Sequence, residues 1–243
     1  MKTVAISQPM FFPWLGLFDQ MRMADVWVHY DDVQFSKGSF TNRVQIKGGN
    51  GIQWLSVPIE ANSLKTEIQS CRTVAPQRWQ PKMIRTLEHV YAGAQFRALM
   101  LDVATRGLST GTDRLAELAI AGMEEVRIQL EIGEGCEFSR SSDLDISGSG
   151  TDRVLEVVKH YKGERYITGH GARNYLDHER FEREGISVEY LDYKIEPYPQ
   201  KGDDFTPYVS ALDAIAHCGP KAASHLASKT LSWREYVETP KAS

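Results

Sequence analysis

The sequence predicts an α/β fold with a mostly parallel sheet, and three observations lead there. Val4-Ala5-Ile6-Ser7 is a short apolar run that stops at Gln8-Pro9, and Val26-Trp27-Val28-His29-Tyr30 is a second that stops at Asp31-Asp32. Runs bounded in this way read as buried strands. A helical pattern over 17–23 joins them, and strand–helix–strand makes a parallel pair. The later chain alternates again: a helix over 151–161, a strand over 165–168, a helix over 172–184 stopped by Gly185, and a strand over 186–191. The expected architecture is Rossmann-like.

Between these halves the pattern changes. Segments 39–46 and 52–59 alternate around Lys47-Gly48-Gly49-Asn50-Gly51, which signals a β-hairpin, and Pro58 puts the second strand's end at an edge or bulge. Segment 62–76 is less regular, with one short strand near Ile68. Two helices follow. The first spans 77–101, broken near Gly93, and the second begins at the Thr112-Asp113 cap and carries Leu115, Leu118, Met123 and Val126. Cys136-Glu137-Phe138-Ser139 is strand-like. A loop over 197–207 precedes a helix over 208–217 that Gly219-Pro220 stops, and the last dozen residues fray. The chain therefore reads as one α/β domain, 1–243, with an insertion at 39–130 and a C-terminal helical tail from 208.

The totals exclude several classes. A net charge of −4 on 243 residues gives no global reason to bind nucleic acid. No apolar stretch approaches the roughly 20 residues of a membrane span. The N-terminus has no charged start followed by an apolar core, so a cytoplasmic protein is expected. Three separated cysteines, Cys71, Cys136 and Cys218, read as reduced thiols with neither disulfide framework nor zinc knuckle. A homodimer is compatible with all of this.

Ligands of such sheets collect where strands end and helices begin. Gln8, Trp14 and Gly16 stand at the first such junction: Gly16 would let a ligand approach the backbone and Trp14 would cover a base or sugar. The alternative is that Trp14 is a core plug and Gly16 only relieves crowding. Asp31 and Asp32 end the second strand and suit a cation, a sugar or a base, or else cap a turn. Asn42, Arg43 and Lys47 on the hairpin offer an amide and two cations for phosphate, or form a solvated face. Arg140, Ser141 and Ser142 before a Gly/Ser loop suit an anion, although no standard phosphate loop is present. Gly169 and His170 open a helix, and His170 is an available acid/base. His29 reads as a packed core residue. No HxxxH or HExxH occurs, so no metal site is expected.

Together these residues resemble the WbqC-like family. The likeness rests on Gln8-Pro9 through Phe12-Pro13-Trp14-Leu15-Gly16, Ala24-Asp25, Asp31-Asp32-Val33-Gln34-Phe35, Asn42-Arg43 with Lys47, and Trp54-Leu55-Ser56-Val57-Pro58. It continues through Arg140-Ser141-Ser142-Asp143-Leu144, Tyr166-Ile167-Thr168-Gly169 with Tyr175-Leu176, and Tyr198-Pro199-Gln200 before Phe205. The resemblance implies Gly-Pro where this chain has Gly169-His170, and a basic residue near the start of the Thr151 helix that reads as missing here. It implies a setting in surface-polysaccharide (O-antigen) synthesis, beside enzymes that make nucleotide-linked amino sugars, and no catalytic residue.

The function expected is N-acyl or N-aminoacyl transfer to a nucleotide-linked amino sugar. Its donor would be an ATP-derived adenylate or an acyl or aminoacyl thioester. Asp32 or His170 would deprotonate the amine, while Arg43, Arg140, Ser141 and Ser142 hold phosphates. Gln8 and Asn42 would orient the carbonyl, with Tyr175 and Gln200 as further contacts. The alternatives are a non-catalytic nucleotide-sugar-binding partner of a transferase, and a HUP-like nucleotidyltransferase.

Overall fold

The computed structural model describes residues 1–61, 65–202 and 204–238. Its main sheet contains β1 (Thr3–Ser7), β2 (Val26–His29), β5 (Glu137–Arg140), β6 (Arg165–Thr168), β7 (Ser187–Asp192) and β8 (Lys229–Ser232). The order is β5-β2-β1-β6-β7-β8, and every pair is parallel except β7 with β8. A separate antiparallel hairpin pairs β3 (Arg43–Gly48) with β4 (Gly51–Ser56).

Alternation along the strands assigns the two faces. Val4, Ile6, Val26 and Val28 point one way, onto Val154, Leu155, Val157 and Val158 of α5 (Gly150–His160). Ala5 and Trp27 point the other way, onto Phe18 and Met21 of α1 (Leu15–Arg22) and the inserted helices. These side chains are buried, and each Val, Leu, Ile, Phe and Met among them is worth about 1.5–3 kcal/mol when fully removed from water. The product is a helix–sheet–helix sandwich, which is why the strands read as unbroken apolar runs.

Among the described residues the insertion holds three α-helices: α2 (Gln80–Val90), α3 (Arg97–Leu108) and α4 (Leu115–Gln129). The helix expected over 77–101 is thus two helices, and the second runs on to Leu108. Phe96 pins the turn between them: its N–H donates to Ala216 O at 2.9 Å, against α7 (Ala211–Cys218). α3 and α4 cross where Gly107 meets Gly122; a Cβ on Gly107 would stand 2.9 Å from the Gly122 Cα. Phe12 wedges into the same crossing from the loop after β1.

Three further expectations change. Ile68 sits in a 3-10 turn, Ile68–Ser70, because it serves as a single buried plug beneath α4. Residues 172–184 form a 3-10 turn, His170–Asn174, followed by the short α6 (His178–Arg183), which Asp177 caps by accepting from Arg180 N at 3.1 Å. Of the last dozen residues, expected to fray, Ser232 ends β8 and Trp233–Glu238 form α8, while 239–243 lie outside the described residues; β8 itself is a strand within the expected helical tail. Aromatic stacking holds this end, Trp233 on His178 at 4.7 Å and Tyr236 on Tyr190 at 4.3 Å. Among the described residues no helix is long and apolar enough to cross a membrane. All three cysteines are free.

Candidate functional site

β1 lies between β2, reached first by the chain, and β6, reached much later. The connections after β1 and β6 therefore part to opposite sides of the sheet, and a crevice opens between them at the carboxyl edge. A cavity of about 560 Å³ occupies that crevice, lined by Trp14, Gly16, Leu17, Gln20, Phe40, Gly169, His170, Arg173, Leu191, Asp192, Tyr193, Tyr208 and Tyr236. Its size, and walls in which Trp14, Phe40, Tyr193, Tyr208 and Tyr236 stand beside a few polar groups, fit a small-molecule site. Another hollow of about 680 Å³ lies between Pro76, Gln80, Leu108 and Asp113, away from the sheet edge and without an aromatic or cationic lining residue. We take the crevice as the site on those chemical grounds.

Local structure sets each wall. Phe12 takes a left-handed backbone (φ 41°), a strained choice for a bulky residue, and Ser210 Oγ donates to its carbonyl at 2.7 Å. This turns Trp14 outward at the start of α1. Gly16 is required there, since a Cβ would stand 2.6 Å from the Tyr193 ring and 2.7 Å from Trp14 Nε1. The glycine thus admits a wall of the cavity; its expected role, room for a ligand against the backbone, is taken by Tyr193. The Tyr193 hydroxyl donates to Pro207 O at 2.7 Å, and burial pushes its pKa up. Opposite, His170 Nδ1 lies 2.8 Å from the Tyr236 hydroxyl, and Arg173 Nη2 donates to Val237 O at 2.7 Å. A guanidinium has five N–H donors, and that bond uses one.

Trp14, Gly16, Gly169 and His170 are therefore brought together. Gln8 stands half-buried at the end of β1, outside the cavity lining. Asp31, Asp32, Arg140, Ser141 and Ser142 gather elsewhere, beyond β2 and β5. Asp31 is fully buried and accepts from Ser142 N at 3.1 Å and Ser142 Oγ at 3.0 Å. Desolvation nevertheless raises its carboxyl above the usual range. Asp32 accepts from Ser141 Oγ at 2.5 Å and pairs with Arg153, in the first turn of α5. The helix start thus does carry a basic residue. Arg140 forms a bidentate pair with Glu117 at 2.8 and 3.0 Å. His29 is buried beside it; burial first, then the Arg140 charge, lowers its pKa to about 3, so it stays neutral. The donors and acceptors of this cluster are engaged with one another, and among the described residues no group of metal-ligating side chains forms.

The hairpin residues take a third position. Asn42 Nδ2 donates to Val57 O at 3.1 Å, and the Arg43 guanidinium lies 4.0 Å from the Trp54 ring. Lys47 is buried, with no hydrogen-bond partner for Nζ among the described residues. Gln200 is a clamp: its Nε2 lies 3.0 Å from Tyr198 Oη, Asp213 Oδ2 and Thr206 O. Tyr175 is exposed just beyond the cavity-lining turn. Sequence reading did not single out Arg173, Tyr193, Tyr208 or Tyr236. Arg173 was within reach, three positions after His170, whereas Tyr236 lies in the segment expected to fray.

A family model described as the WbqC-like protein family matches residues 8–225. A protein of Mycobacterium tuberculosis (strain ATCC 25618 / H37Rv), named "Uncharacterized protein Rv1507c", is 29% identical over 228 residues, covering 93% of this chain and 98% of that protein. No solved structure matches. The family match begins at the end of β1 and runs past α7, so it takes in both ends of the carboxyl edge: the chain belongs to the WbqC-like family.

Proposed function

We propose that this protein is a transferase of surface-polysaccharide synthesis that binds a nucleotide-linked amino sugar in the crevice between β1 and β6 and acylates its amine. The observation that carries the reading is the cavity itself: an aromatic-walled hollow at the sheet's switch point, with a histidine and an arginine on one wall. The aromatic rings suit the faces of sugar and base, and Arg173 suits phosphate. His170, oriented through Nδ1 by Tyr236, takes the proton from the ammonium. The amine then attacks the donor's acyl carbon and the C–N bond forms; the bond from that carbon to the thioester sulfur or adenylate oxygen breaks, and the second proton lost by nitrogen goes to the departing thiolate or nucleotide. Asp32 is left out of this step, because its carboxylate is engaged by Arg153 and Ser141.

That same engagement favours a second reading, a protein that holds the nucleotide sugar for a separate transferase. Thermal denaturation with a panel of nucleotide sugars, with and without acyl-CoA donors, separates the two. Both readings expect an amino-sugar nucleotide to raise Tm, as any ligand specific for the folded state does. Only the first expects amide product. If no nucleotide sugar raises Tm, both readings fail.

A further inference from the structure

A row of rings leads out of the cavity onto the hairpin. Trp14 and Phe40 line the cavity with ring centroids 5.3 Å apart, and Phe40 meets Trp54 at 5.9 Å. The row ends where the Arg43 guanidinium lies 4.0 Å from the Trp54 ring. Strand register explains the last step: Arg43 pairs with Ser56, so Arg43 and Trp54 are diagonal neighbours on one face of the hairpin. Phe40 is 38% exposed and Trp54 44% exposed. Single exposed apolar residues need no explanation, but a contiguous row that continues the wall of a cavity does. Among the described residues Arg43 and Arg173 have no carboxylate within ion-pair distance, unlike Arg140 and Arg153. Arg43 thus stands as an unneutralised cation at the Trp54 end of the row, and Arg173 as another among the residues that line the cavity.

We propose that this row is the shelf for the base of the bound nucleotide, which stacks on Trp54 beside Phe40 while the phosphates lie toward Arg173 and the sugar reaches His170. The assignment rests on the nucleotide-sugar reading and gives that ligand its direction. Every nucleobase has a π face, so an exposed indole steadied by a stacked guanidinium accepts one without reading its edge. A cation in the cavity beyond the row gives the diphosphate that joins base-bearing ribose and sugar an ion-pair partner. A sugar chain alone has no charge to place there.

The test is calorimetric titration of wild-type protein, Trp54→Ala and Trp54→Phe with ADP, CDP, GDP, UDP, dTDP and their available nucleotide sugars, and with N-acetylglucosamine 1-phosphate. Trp54 is half exposed, so the variants are expected to fold, and circular dichroism checks it. Loss of one base–aromatic stack is expected to weaken whichever nucleoside diphosphate binds by about five- to a hundredfold in Trp54→Ala. Trp54→Phe restores most of that affinity, and affinity for the sugar phosphate stays unchanged. Equal binding of the diphosphate by wild type and Trp54→Ala overturns the shelf and leaves the nucleotide-sugar reading standing. Absence of binding by any nucleotide to wild type overturns both. A dimer in wild type that Trp54→Ala converts to monomer, with diphosphate affinity unchanged, assigns the row to a second copy of the chain instead.

Discussion

At the β2–β5 end of the carboxyl edge each charge meets a partner: Arg153 meets Asp32, Arg140 meets Glu117, and Asp31 accepts from Ser142. At the β1–β6–β7 end His170 leans on one hydroxyl and Arg173 on one carbonyl, with a cavity between them and the aromatic walls. Both ends carry aspartate, arginine and hydroxyl or phenol groups at strand ends. What differs is whether the donors and acceptors are satisfied within the protein. A satisfied buried network fixes loops and leaves nothing to offer a ligand. An open, half-satisfied wall holds its binding capacity in reserve.

The largest effect that would break this contrast belongs to the filled end. Arg153→Met leaves the nearly buried Asp32 carboxylate unpaired, and urea denaturation should show a loss of about 3–5 kcal/mol. A loss under about 1 kcal/mol would mean that the pair is not structural. Asp32→Asn should likewise act through stability. A stable Asp32→Asn protein with turnover lowered at least about tenfold would return Asp32 to the chemistry.

Next in size is Gly16→Ala. The added methyl meets the Tyr193 ring and the Trp14 indole, and overpacking of that kind costs about 1–3 kcal/mol. Ligand-induced stabilisation should fall with it, because the displaced rings are the cavity walls. Unchanged stability and ligand response together would show that the two rings move apart freely.

His29 gives a pH-dependent test of the filled end. Its pKa is about 3 when folded and near 6.5 when unfolded, so between those values the unfolded chain binds a proton that the folded chain refuses. Stability should therefore fall as pH drops from 6.5 toward 3. Asp31 and Asp213, whose carboxyls are raised by desolvation, work in the opposite direction. The contribution of His29 is the difference between wild type and His29→Gln, and the variant should have the flatter profile on the acid side. Parallel profiles would show that His29 titrates normally.

The smallest stability effect belongs to the open end. His170→Gln removes an exposed side chain and should alter unfolding free energy by less than about 0.5 kcal/mol, while lowering turnover by about a hundredfold or more. Large destabilisation by His170→Gln would erase the distinction between the two ends.

The sequence alone established the central strands β1, β2, β6 and β7, because short apolar runs, three of them closed by Gln8-Pro9, Asp31-Asp32 and Gly169, leave few other ways to bury them. The hairpin was legible for the same kind of reason, since alternation around Gly49-Asn50 is local chemistry. Family membership was legible too, from motifs spread over nearly the whole chain.

The tertiary structure decided which strand-end residues face a hollow and which face one another. Asp32 and His170 look equally available in a linear reading. Only the placement of α5 beside β2 brings Arg153 to Asp32, and only the pairing of β8 with β7 brings Tyr236 to His170. Those partners are 121 and 66 positions away in the chain. No local rule of period or capping reaches so far, because such contacts exist only once packed layers have set their distances.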